Sequence, residues 1–81
     1  MTLNQLIPTD ALNGRTRIVL TGREQMLIEQ HRGIIGYGKE KLTLRLSDGY
    51  VSVLGQNLFI SEYNHQEILV SGKILSVEFS K

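Results

Sequence analysis

Cysteine and tryptophan are both absent from this 81-residue chain, proline occurs once, and the aromatics are limited to three Tyr and two Phe. Without cysteine there can be no disulfide framework and no thiolate metal site, a composition that fits a cytosolic protein. An excess of one charge is lacking too. Nine Lys plus Arg against eight Asp plus Glu leave a formal net charge of +1, far from the basic footprint of a nucleic-acid binder. Nowhere is there a continuous apolar run of the roughly 18 residues that a membrane-spanning helix needs. The opening MTLNQLIPTDALNG lacks the basic start and long apolar stretch of a signal peptide.

Length allows one domain. Such a chain buries about 60–65% of the surface it exposes when unfolded, and its stability is expected near the low end of the usual range, about 5 kcal/mol. Little is left over to support a strained polar catalytic pocket. Association with a partner is one way to add buried area.

What the sequence does have is alternation. Residues 1–14 hold the only proline, Pro8, and the turn dipeptide Asn13-Gly14, and read as a loosely held arm or one short helical turn beginning near Pro8. From Arg15 the period is two, and residues 15–81 read as a single β domain. In KLTLRL, Leu42, Leu44 and Leu46 alternate with Lys41, Thr43 and Arg45; a strand lines those leucines up, whereas a helix scatters them. Asp48-Gly49 is a two-residue hairpin signal. A turn centred there pairs Leu46 with Val51, Leu44 with Val53 and Leu42 with Gly55. A second hairpin is expected around a loop Asn64-His65-Gln66, pairing Tyr63 with Glu67, Ile60 with Val70 and Leu58 with Gly72, with a loop of two or four residues as the alternative registers.

Gly22, Gly38, Gly55 and Gly72 fall 16, 17 and 17 residues apart, and apolar-x-apolar-x-Gly recurs before three of them. The alternation changes parity after the glycine, as at a β-bulge or corner. The expected fold is therefore all-β: a small antiparallel β-sandwich or curled meander. The alternative is a short β-solenoid of 17-residue repeats, and the hairpin pairings favour the antiparallel form.

The stretch IEQHRGIIGYG (Ile28–Gly38) invites a chemical reading. Its Gly33-x-x-Gly36-x-Gly38 reverses the order of the dinucleotide fingerprint and leads into a strand rather than the helix that phosphate binding needs. Nor does it sit between helices, as an RNA-binding KH loop does. His31 and His65 are the only imidazoles, with no cysteine and no helical His pair to make a metal site. Glu29 and His31 alternate along a strand and can form an acid–base couple, although a surface contact is the commoner use of such a pair. Ser47, His31 and Asp48 can be assembled on paper into a triad, but no nucleophile elbow supports it. Arg15, Arg17, Arg23, Lys39, Lys41 and Arg45 do not alternate with aromatics as a single-strand stacking platform requires. No catalytic, cofactor-binding or metal-binding residue follows from these patterns.

The run IEQHRGI, together with LTG after the first strand, VLGQNLFI and the closing EILVSGKILSVEF, resembles the YabP/YqfC family of sporulation proteins. The resemblance spans Ile18 to Phe79, and HRG points to the YqfC branch. Gln30 stands where the family carries asparagine, and Asn13-Gly14 replaces an apolar-Pro step. The resemblance implies a small β-sandwich without catalytic residues or cofactor. Such a protein would work by protein contacts in spore coat and cortex assembly, in the mother-cell cytoplasm or peripherally at the forespore envelope. The implied partner is an integral membrane protein, with neither nucleic acid nor a membrane span of its own, and self-association through sheet edges is open to it. Glu29, His31 and Arg32 are the candidate contact residues. Because a buried guanidinium needs a paired carboxylate while neutral His is cheaper to bury, Arg32 is expected outside and His31 inside. The alternative function is a small single-stranded nucleic-acid-binding β-barrel.

Overall fold

A computed structural model describes residues 15–81; the arm expected over Met1–Gly14 lies outside the described residues. Six strands follow one another: β1 (Arg17–Thr21), β2 (Gln25–Glu29), β3 (Ile34–Tyr37), β4 (Lys41–Leu46), β5 (Gly49–Tyr63) and β6 (Glu67–Ser80). They form one sheet in the order β1-β2-β6-β5-β4-β3, and every neighbouring pair is antiparallel. The all-β antiparallel expectation holds. The solenoid alternative does not, because stacked coils pair their strands in parallel. No helix among the described residues is long and apolar enough to cross a membrane.

The sheet is curled, and chain length shows why it must be. A straight strand of 15 residues extends roughly 50 Å, yet the longest dimension of the domain is 37 Å. The β5–β6 pair bends where its register breaks, between Leu54 and Gly55 and again between Gln56 and Phe59. Leu54 opposes Ser76 while Gly55 opposes Ile74, so Leu75 is the extra residue of a bulge, which sharpens the local twist. At Gly55 the two backbones close up: a Cβ there would run into the Lys73 carbonyl oxygen. The parity change visible in the sequence at Gly55 and Gly72 is this corner. The other two glycines of the apparent repeat belong to connections instead, Gly22 between β1 and β2 and Gly38 between β3 and β4. The spacing therefore marks turns and one corner rather than repeated coils.

Bending gives each long strand to two layers. Before the corner β5 lies between β4 and the end of β6, and β3 closes that layer. Beyond the corner it pairs with the beginning of β6, followed by β2 and β1. Met26 and Ile28 from one layer join Leu42, Leu44, Leu46, Val51 and Val53 from the other in a single core, with Leu58, Ile68, Val70 and Ile74. Lys41, Thr43 and Arg45 alternate with the buried leucines and point away from that core on one side. Gln25, Leu27 and Glu29 alternate with Met26 and Ile28 and point away on the other.

Both expected hairpins are present, each with a corrected register. Leu46 pairs with Gly49, Leu44 with Val51 and Leu42 with Val53, so the turn is Ser47-Asp48. The Asp-Gly signal marks where a positive φ is needed without saying which turn position takes it; here Gly49, with φ 151°, opens β5 beside Ser80. The shift preserves the inward face, so every leucine still meets an inward residue or glycine. In the second hairpin Ile60 pairs with Val70 as expected, but an irregularity between Ile60 and Glu62 sets Tyr63 opposite Ile68 rather than Glu67.

Replacing Gly55 by Ala is expected to destabilise the domain by about 2–4 kcal/mol, a large part of its total, because backbone rather than a flexible side chain would have to move. Urea unfolding followed by circular dichroism measures it; a change below about 0.5 kcal/mol, the scale of an ordinary surface substitution, would show that the corner is not closed at this residue.

Candidate functional site at the crossover

Between β2 and β3 the chain crosses from one layer to the other in four residues, Gln30 to Gly33. Strand pairing ends at Glu29, and Gln30 turns out of the sheet with φ 65°, a left-handed conformation unusual for a residue other than Gly, Asn or Asp. The Gln30 N–H donates to the Gln66 carbonyl at 2.6 Å, in the β5–β6 loop. Two residues on, the Arg32 N–H donates to the Arg45 carbonyl of β4 at 2.7 Å, and the Arg45 N–H donates back to Gly33 at 2.9 Å. Gly33 itself sits at φ 128°, which side-chain-bearing residues avoid. The crossover is thus stitched to both layers within a few ångströms of chain.

His31 holds the seam from inside. It is only 5% exposed. Its Nδ1 accepts from the Gly33 N–H at 3.0 Å, which leaves Nε2 as the protonated nitrogen donating to the Asn64 carbonyl at 2.8 Å. Both ring nitrogens are therefore used and the neutral tautomer is set by its neighbours. Tyr63 lies against the ring, centroids 5.6 Å apart and tilted by 41°. Asn64 is anchored in turn, its Oδ1 accepting from the N–H groups of Gln66 and Glu67 at 2.8 Å each. Among the described residues no buried side-chain nitrogen or oxygen lacks a partner.

Arg32 faces the other way. It is exposed and lines a surface hollow of about 540 Å³ with Arg45, Leu46, Ser47, Gly49 and Tyr50. The expected division, His31 inside and Arg32 outside, is found, although the crossover rather than strand parity produces it. Glu29 is half-buried on the outer face of β2, where its carboxylate accepts from Arg17 at 3.2 Å. That is the one ion pair among the described residues. Glu29 and His31 are consequently not an acid–base couple: each is bonded to other groups. Nor is there a triad, since neither ring nitrogen of His31 is left for Ser47 or Asp48, which form the β4–β5 turn.

His65 is exposed at the β5–β6 tip, and no group of three or more His, Asp or Glu that could hold a metal occurs among the described residues. The basic residues named in the sequence are spread over different elements. Arg17 is on β1 and Arg23 in the β1–β2 turn, whereas Lys41 and Arg45 share the outer face of β4. Sequence reasoning missed Asn64 and Arg45 as partners of the run. The one available signal was the turn preference of Asn64; nothing local ties it to a histidine 33 residues away.

The family model described as the YabP family matches residues 13–81. The chain belongs to the YabP family. An uncharacterized protein YqfC of Bacillus subtilis is 33% identical over 73 residues, covering 90% of this chain and 78% of that protein. No solved structure matches the chain. Within this YabP-family chain, Glu29, His31, Arg32 and Gly33 have distinct duties: an outer ion pair, an internal staple, an exposed cation and a backbone hinge.

His31→Ala is expected to cost about 3 kcal/mol, from two orphaned backbone groups and a cavity, with Arg32→Ala staying within about 0.5 kcal/mol. Equal losses in chemical denaturation would contradict the division of roles. Gln30→Asn is expected to raise stability by about 0.5 kcal/mol, because asparagine tolerates the left-handed backbone better; a lowered urea midpoint would contradict it.

Proposed function

We propose that this chain is a non-catalytic sporulation protein that acts by protein contact in spore envelope assembly, coat or cortex. Its partner in this reading is an integral membrane protein of the sporulating cell, and its place is the mother-cell cytoplasm or the periphery of the forespore envelope. The observation that supports the reading best is the use made of the family-like run. His31 and Gly33 are taken up by architecture, so Arg32 is the member of HRG with its charge left at the surface.

A guanidinium in that position suits recognition of a partner carboxylate, which it can meet with two parallel hydrogen bonds. Glu29 contributes to the opposite outer face, where its carboxylate is paired with Arg17.

Arg32→Ala in the chromosomal gene is expected to lower the yield of heat-resistant spores while the purified variant keeps its thermal midpoint. Wild-type spore yield from that strain would sink the recognition role, and loss of the folded state would assign the residue to architecture. Titrating labelled single-stranded oligonucleotides against salt tests the nucleic-acid alternative, which demands an affinity that falls steeply as salt rises.

A further inference from the structure

The two outer faces of the curled sheet carry opposite charge. On the layer built by β3, β4 and the first half of β5, the outward strand residues of β4 are Lys41, Thr43 and Arg45, and Arg32 lies beside Arg45 at the shared hollow. Across β5 and β6 the same face continues through Tyr50, Ser52 and Leu54 to Glu78, its one strand carboxylate. Thr43 and Ser52 are joined between the cations by a hydroxyl–hydroxyl hydrogen bond of 3.0 Å. None of Arg32, Lys41 and Arg45 has a carboxylate partner among the described residues.

The other layer presents Glu29 directly opposite Glu67, with Glu62 opposite Leu69 further along. Arg17, paired with Glu29, and Lys73, exposed at the corner end of β6, are the strand cations on that face, against the three carboxylates. Glu62 and Glu67 are exposed and have no cationic partner among the described residues. Between and beside the carboxylates run Val19, Leu27 and Leu69, half-buried on neighbouring strands.

The charges on the two faces are also arranged in a similar pattern, with a different span. Arg32 and Arg45 are neighbours across one strand gap, roughly 5 Å, and Lys41 lies four residues along β4, roughly 13 Å from Arg45. Glu29 and Glu67 are likewise one strand gap apart, and Glu62, one strand over and two residues along from Glu67, is roughly 8 Å from it. Each face therefore has a close pair of like charges and a third charge set apart, and a lysine stem can cover the remaining difference in span.

We propose that the occupant of the basic face is the acidic face of a second copy of this chain. Arg32 and Arg45 meet Glu67 and Glu29, and Lys41 meets Glu62. This rests on the reading of Arg32 as a contact residue and names its partner. The two faces point in opposite directions from one core, so the contact is head-to-tail and does not close at two. Copies add in a line. Opposite charges at the rim of such an interface chiefly set register and encounter rate, and their effect is lost as salt screens them.

Sedimentation equilibrium on the full chain tests this, with two variants that each blank one face. One carries Arg32→Gln, Lys41→Gln and Arg45→Gln; the other carries Glu62→Gln and Glu67→Gln. All these residues are exposed, and thermal unfolding checks that both variants remain folded. The wild-type mass is expected to rise with concentration past the dimer at about 10 mM salt and to fall toward the monomer at about 1 M, as the screening length falls from roughly 30 Å to roughly 3 Å. Each variant alone should lose every species above the monomer. Mixed in equal amounts, they should give one species of twice the mass and nothing larger, since one intact face of each kind remains.

A wild type that is monomeric throughout, a single-face variant that still associates, or a mixture that stays monomeric would overturn the proposal. If the wild type is monomeric while Arg32→Ala still impairs sporulation, the contact between copies is wrong and Arg32 faces a different protein. If Arg32→Ala sporulates normally, the underlying reading fails whatever the masses show.

Discussion

Paired strands of 15 and 14 residues cannot lie flat in a domain whose longest dimension is 37 Å, so β5 and β6 must turn together and serve two layers. The close approach at Gly55 is where they do so. Without that corner, Met26 and Ile28 would sit several strand spacings from Leu42 and Leu44, on one open face with water above them. With it they meet in one core. At roughly 25 cal/mol per Å² of apolar surface buried, bringing two half-covered sheets together is the main gain available to a chain with no disulfide and no metal site among its described residues.

Closing two layers creates a problem at the rim, because the chain must leave one and enter the other without stranding its backbone groups. The Gln30–Gly33 crossover answers it through an imidazole that accepts on one nitrogen and donates on the other. A buried unpaired N–H or carbonyl at that point would cost about 1–3 kcal/mol. Four residues thereby combine two jobs, closing the rim internally and presenting a cation externally. A motif so conspicuous in sequence need not be a reaction centre to be chemically demanding.

Much of this was legible before any coordinates. The alternation of Leu42, Leu44 and Leu46 identified β4 and its buried face, and the inside–outside division of His31 and Arg32 followed from the different costs of burying the two groups. Register was less legible. Asp48-Gly49 announced a turn, but the glycine was needed one position later, where β5 begins beside the end of β6. The corner left a trace as a parity change, which a repeat of coils would leave equally well. What local pattern could not supply was the neighbour relation of β2 and β6, or the partnership of His31 with Asn64. Both link residues more than thirty positions apart, and pairings of that kind are decided by how the whole sheet closes.

The hairpin tip Asn64–Gln66 has the outward marks of a permissive loop: short, polar and exposed. Tips of that kind are ordinarily where extra sequence is tolerated. Here the tip holds the Asn64 carbonyl against His31 and the Gln66 carbonyl against Gln30. An epitope tag or fluorescent reporter spliced into it would therefore pry the two layers apart at the rim.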